Sequence, residues 1–302
     1  MDSLTERDKV EKAGYAPHAS PPVLLGCLSA KGGQGASLFS LYLSALASRR
    51  RRTLLIDLDN NSTHRHFLDN PNCPGLANLT MVIGEIGPAE LEGFIKRHPA
   101  GFDCIPGPRN PEEAKLLADA DLRPVFEYLS RSYELLVADV SSNLRTSGLQ
   151  AASLSSVNFL LVQPDLLSLR SSIRIIDSLC LLSGSRQETA LVVNGYGPSN
   201  ILRPEQMAAA VQLPLVAVLP QDGRLGDGFS ALCADLHGDS AYHASLARLA
   251  ASLGLIENSP RNKRSILRGS CLRSLVTLSS RSHGCGFPGR KYLSEEGCSC
   301  AG

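Results

Sequence analysis

Apolar residues in this chain fall into short continuous runs rather than alternating with polar ones. The runs cover 23–28 (VLLGCL), 53–59 (TLLIDLD), 102–107 (FDCIPG), 134–140 (ELLVADV), 157–164 (VNFLLVQP), 190–197 (ALVVNGYG) and 214–220 (PLVAVLP). Continuous hydrophobicity over so few residues is how a strand covered on both faces reads. Between the runs, 38–47, 89–97, 122–131, 166–183, 204–211 and 241–253 follow a helical period, with Pro204 suited to a first helical turn. Seven strands alternating with helices predict one α/β domain over 23–255. The expected fold is a doubly wound, mainly parallel sheet with helices on both faces. No internal repeat or interdomain linker interrupts it. Residues 1–22 read as a polar, disordered leader, and 256–302 as a tail without steady periodicity.

The first run breaks off into S-A-K-G-G-Q-G-A-S (29–37), with a helical pattern directly behind it. A strand, glycine loop and helix in succession aim unpaired backbone N–H groups and the positive end of a helix dipole at one point, where a phosphate can approach. The candidate cradle is Gly32, Gly33, Gln34, Gly35, Ala36 and Ser37, with the Ser37 hydroxyl placed as a Mg²⁺ ligand. The loop departs from the pattern G-x-x-x-x-G-K-[ST] twice: Ala30 replaces the first glycine and Ala36 the lysine. A tight strand-to-helix connection without a ligand is the alternative. The second run ends in Asp57-Leu58-Asp59, two carboxylates expected on one face of a strand, and the fourth ends near Asp139. A strand-terminal Asp suits either a water-mediated Mg²⁺ contact or simple capping. His64 and His66, in T-H-R-H, read as the polar face of a loop, and Asp69 as a surface residue.

Composition adds limits. The 302 residues are 43% apolar and 20% charged, which is ordinary for a globular domain. No apolar run reaches the roughly 20 residues of a membrane span, and the first twenty residues lack a hydrophobic signal core, so a cytoplasmic protein is expected. Cys27, Cys73, Cys104, Cys180 and Cys233 are scattered singly and read as free thiols. The net charge of +1 conceals an asymmetry: residues 261–302 carry eight Lys and Arg against Glu295 and Glu296, leaving the body mildly acidic. An acidic body counts against direct nucleic-acid binding. In the tail, Ile266, Leu267, Leu272, Leu275, Val276 and Leu278 interleave with Arg264, Arg268 and Arg273. That pattern is open to two readings, a solvated tail or a basic amphipathic helix against anionic lipid.

Taken together, S-A-K-G-G-Q-G-A-S, L-L-I-D-L-D, L-L-V-A-D, Q-P-D-L-L-S-L-R and L-V-V-N-G-Y-G resemble the MinD/ParA group of deviant Walker A ATPases. The substituted loop lysine, the stretch 101–117 and the segment 164–170 are most similar to the CpaE/TadZ branch, which takes part in assembling Flp-type (Tad) pili. The resemblance covers about residues 23–255. It implies ATP and Mg²⁺ as cofactors and a nucleotide-sandwich homodimer in which Lys31 reaches the partner's phosphates. It further implies that Asp59 orients attacking water, that Asp139 is the Walker B carboxylate, and that Ser37, Asp59 and Asp139 surround the metal, partly through water. Asn194 falls where the group holds adenine, although a plain strand-end turn residue before Gly195 is an equal reading. Pro220, Gln221 and Asp222 fall where further contacts to the base are made. The branch implies docking onto pilus-assembly machinery at the membrane or cell pole. With Ala36 carrying no charge, weak or absent hydrolysis is expected. Asn60-Asn61 and Val140-Ser141-Ser142 depart from the group's usual switch sequences. An active ATPase positioning chromosomes, plasmids or a division apparatus is the alternative, and a metabolic or iron–sulfur relative a remote third.

Overall fold

The computed structural model describes residues 23–68, 70–142, 145–183, 189–223 and 240–256. The expected leader and the tail beyond Ile256, together with Asp69 and Cys233, lie outside the described residues. Eight strands form one sheet: β1 (Val23–Ser29), β2 (Thr53–Asp57), β3 (Lys96–Arg97), β4 (Asp103–Ile105), β5 (Leu135–Ser141), β6 (Val157–Val162), β7 (Thr189–Tyr196) and β8 (Leu215–Pro220). Their order is β3-β4-β2-β5-β1-β6-β7-β8. Every pairing is parallel except the short β3, which runs antiparallel to β4. The chain leaves β1 for β2 on one side, returns through β5, and then builds outward through β6 on the other. Such a reversal opens a crevice at the carboxyl ends of the central strands, where ligands of open α/β sheets bind.

Helices cover both faces: α1 (Ala36–Ala47), α2 (Leu76–Val82), α3 (Pro88–Leu91), α4 (Pro111–Ala118), α5 (Arg123–Ser130), α6 (Thr146–Leu154), α7 (Leu166–Ser183), α8 (Pro204–Val211) and α9 (Ala241–Ser252). Successive strand residues face opposite sides, so each central strand feeds two cores. Leu25, Cys27, Leu55, Val137 and Phe159 pack with Phe39 and Tyr42 of α1 and Tyr242 and Leu246 of α9. Leu24, Leu28, Leu54, Ile56, Leu136 and Leu160 pack on the other side with Leu79, Val125, Phe126, Ile175 and Met207. Full burial of each such side chain is worth about 1.5–3 kcal/mol, so the continuous apolar runs are what the two-sided sheet demands. Cys27, Cys73 and Cys104 are buried free thiols and Cys180 is a partly exposed one. Among the described residues, no helix is long and apolar enough to cross a membrane.

The helix expected over 89–97 is not formed. Helix α3 stops at Leu91, Gly93 follows in a turn, and Lys96 and Arg97 pair with Cys104 and Asp103 as an edge strand. Glycine is poor in a helix interior, and the edge of β4 offers the backbone another partner. Helices α2, α4 and α6 add to the expected set. For α4 a start signal is present: the Asn110 side chain accepts the Glu113 N–H at 2.9 Å, and Pro111 opens the first turn.

His98, between β3 and β4, is buried and stacks on Phe102 with ring centroids 4.4 Å apart. Burial, with a smaller contribution from nearby His64, pushes its pKa down to about 4. The folded state therefore binds this proton less readily than the unfolded chain, whose histidine titrates near 6.5. Its stability contribution is complete above pH ~6.5 and falls as the pH drops toward 4. His98→Phe should flatten that decline, sparing about 1–2 kcal/mol at pH 5. Urea denaturation of both proteins at pH 7 and pH 5 checks this; parallel losses would count against it.

Candidate functional site

The glycine loop joins the end of β1 to the start of α1 and is fixed from three directions. Gly33 and Gly35 adopt φ of +79° and +87°, backbone that favours glycine. Gln34 turns inward and is fully buried; its Oε1 accepts the Ala30 N–H at 2.9 Å. Asn194, near the end of β7, donates Nδ2 to the Gln34 carbonyl at 2.7 Å, and Gln163, just past β6, donates Nε2 to the Gly33 carbonyl at 3.1 Å. A Cβ on Gly35 would lie 2.4 Å from Asn194 Nδ2, so the brace requires a residue without a side chain. Behind the loop, the first-turn N–H groups of α1 have no acceptor within the helix. Ala36 is buried as its first residue. Lys31 is partly exposed, its Nζ 3.9 Å from Asp165 Oδ2. Exposed pairs of this kind contribute little, so Lys31 stays available to other anions.

From Ser37 a chain of side chains runs inward. Ser37 Oγ lies 3.3 Å from Ser141 Oγ, which donates to Asp139 Oδ1 at 3.2 Å. The other oxygen of Asp139, Oδ2, is 2.8 Å from His64 Nε2, and Ser40 Oγ is 3.4 Å from the same nitrogen. Asp57 stands in register with Asp139 on the neighbouring strand. Its Oδ1 accepts the Asp59 N–H at 3.0 Å, and its Oδ2 accepts Ser62 Oγ at 3.2 Å and the His64 N–H at 3.3 Å. Asp57, His64 and Asp139 are wholly buried.

Two expectations from the sequence are corrected. His64 is no part of a polar loop face: a 3-10 turn over Thr63–Phe67 folds it inward onto Asp139, while His66 is exposed. Arg65 secures that turn, donating to the carbonyls of Pro71 (2.6 Å), Cys73 (2.7 Å) and Gly107. Asp57 and Asp59 do not share a strand face either, since β2 ends at Asp57 and Asp59 belongs to the following turn. There its oxygens accept the Asn61 N–H at 3.3 Å and Thr63 Oγ1 at 3.4 Å.

Burial governs the charges. It pushes the Asp57 carboxyl up to about 6; His64 opposes the rise, and Asp139 and Asp59 add to it. Burial likewise raises Asp59, against the Asn61 N–H and with Asp139. For His64, burial disfavours the cation, yet the Asp139 hydrogen bond and the surrounding carboxylates outweigh it and raise its pKa.

The structure thus brings Gly32 to Ser37, Asp139 and Asn194 together, with Asp59 at the next strand end. Asn194 acts as the brace under Gln34, and its Oδ1 is buried without a partner among the described residues. Pro220 ends β8, and the Gln221 N–H donates to the Tyr196 carbonyl at 3.0 Å. Pro220 and Asp222, both partly buried, are therefore one strand beyond Asn194. The Ser37 hydroxyl and the carboxylates of Asp59 and Asp139 are hard oxygen donors, which suit Mg²⁺. Glycine backbone at 32, 33 and 35 suits a phosphate.

No protein-family model matches the chain. An uncharacterized ATP-binding protein of Methanocaldococcus jannaschii is 22% identical over 236 residues, covering 76% of this chain and 87% of that protein. A ParA family ATPase from Chlorobium tepidum superposes with a TM-score of 0.65 at 17% identity, covering 76% of this chain and 98% of the other. The septum site-determining protein MinD of Pyrococcus horikoshii, solved with Mg-ADP, gives a TM-score of 0.62 at 20% identity over 77% of this chain and 96% of its own. At such identities the likeness shows a shared fold, the MinD/ParA-type P-loop NTPase fold expected from the sequence.

Proposed function

We propose that the chain binds ATP with Mg²⁺ at the glycine loop and acts as a nucleotide-dependent, dimeric positioning or scaffold factor whose hydrolysis is weak or absent. The observation that carries this is a braced loop with Ser37 linked through Ser141 to Asp139, and Ala36 at the charge-bearing position. The loop N–H groups would hold the phosphates, and Ser37, Asp59 and Asp139 the ion, which would neutralise phosphate charge. Asn194 would meet adenine through Oδ1 while bracing the loop through Nδ2, and Pro220 and Asp222 would flank the base. Lys31, loosely paired with Asp165 among the described residues, would reach the phosphates of a second copy. The MinD and ParA ATPases that share the fold and the ATP-binding relative support nucleotide binding.

By its resemblance to the CpaE/TadZ branch, the dimer would dock onto Flp-type pilus-assembly machinery at the cytoplasmic face of the membrane, with the basic tail as a peripheral contact to anionic lipid. Sedimentation velocity with and without ATP should show a nucleotide-dependent shift from monomer to dimer that Lys31→Ala weakens. If ATP neither binds nor moves that balance, the proposal fails.

A working MinD/ParA-type ATPase for cell-division or chromosome and plasmid positioning is favoured by one observation, the carboxylate of Asp59 just past β2 with both oxygens oriented by hydrogen bonds. It requires robust wild-type turnover that Asp59→Ala abolishes.

A further inference from the structure

We propose that Asp57, His64 and Asp139 form a buried site for a divalent transition-metal ion that accepts nitrogen as well as oxygen ligands, with Mn²⁺ as its probe. The site goes beyond nucleotide binding and needs no nucleotide to fill it.

One ligand atom from each of the three side chains lies within 4.8 Å of the other two, and all three residues are fully buried. The 2.8 Å between His64 Nε2 and Asp139 Oδ2 is close to the separation of adjacent ligands on an ion with bonds of roughly 2.0–2.2 Å. The carboxylates are already aimed. Asp57 is held by the Asp59 and His64 N–H groups and Ser62 Oγ, and Asp139 Oδ1 by Ser141 Oγ. Partners of this sort fix metal ligands before the ion arrives.

Charge supplies the second argument. Two carboxylates face one imidazole in a fully buried position, and no Lys or Arg among the described residues pairs with either. A protonated His64 compensates at most one of these carboxylates, and a buried carboxylate left without a cation costs several kcal/mol. A neutral imidazole with two carboxylates is a donor set for Mn²⁺, Fe²⁺, Co²⁺ or Zn²⁺, whereas Mg²⁺ prefers oxygen alone. Asp139 therefore has two sides, Oδ1 toward Ser141 and the loop and Oδ2 toward this site.

The test uses the full chain, stripped with chelator, titrated with Mn²⁺ in excess Mg²⁺ and without nucleotide, and followed by electron paramagnetic resonance. One ion per chain is expected, with electron spin-echo modulation from an imidazole ¹⁴N. His64→Gln, which keeps a polar group beside Asp139, should lose that modulation and weaken Mn²⁺ about 10–100-fold. His66→Ala should change neither. Thermal melts identify any variant that fails to fold, and the wild-type modulation stands on its own. An ion bound without imidazole modulation, or Mn²⁺ affinity equal in wild type and folded His64→Gln, overturns the site. So does a failure to bind Mn²⁺, which would leave His64 a hydrogen-bonding partner only. Because no nucleotide is present, these outcomes are separate from the fate of the ATP proposal.

Discussion

Gly35→Ala is expected to weaken ATP binding by at least about 100-fold, roughly 2.7 kcal/mol. At φ +87° a Cβ is strained, typically by 1–3 kcal/mol, and here it would also stand 2.4 Å from Asn194 Nδ2. Asn194 is buried and already committed to the Gln34 carbonyl, so it can yield only by releasing the loop. The N–H groups that would face the phosphates move with that release. Gly84→Ala, in the turn after α2, is the control: its Cβ would meet nothing within 4 Å, and its φ carries no penalty. Calorimetric titration with ATP should separate the two variants. Equal affinities for Gly35→Ala and wild type would show that the loop does not hold the phosphates.

Ala36→Lys is expected to raise ATP turnover by about 10²–10³-fold, the effect typical of one electrostatic group acting on a transition state. Ala36 opens α1 immediately before Ser37, and a phosphate-loop lysine at this place would carry its ammonium toward the β- and γ-phosphates. The wild-type loop offers only Lys31, on its outer side and near Asp165. Adding Asp139→Asn to the same chain should cancel the gain. A phosphate-release assay on folded protein checks both, and an unchanged rate in Ala36→Lys would mean that the missing ammonium is not what limits hydrolysis.

The sheet was legible because its central strands are buried on both faces and so run apolar at most positions on both sides. Val157–Val162 needs no context to read as a strand. The loop was legible from its glycines set between an apolar run and a helical period. Helix α3 and β3 were not, since 89–97 carries a helical period and only the free edge of β4 decides what Lys96 and Arg97 do. His64 was hidden for a related reason. A histidine between Thr63 and Arg65 reads as surface, and what buries it is Arg65 gathering carbonyls from Pro71, Cys73 and Gly107, which no local pattern announces. Asn194 read either as an adenine contact or as a strand-end turn residue, and neither reading announced its grip on Gln34, a contact across 160 residues.

That grip, with Gln163 on Gly33, has a thermodynamic consequence. A loop clamped from two strand ends has already given up its conformational freedom, so a ligand entering it has little backbone left to order. Binding should then show a small entropic penalty and arrive close to rigid-body docking. The same stiffness makes the loop a gauge of size: it cannot widen for a bulkier anion or close around a smaller one. Selectivity would come from shape fixed in advance, with the charge at position 36 left out of it.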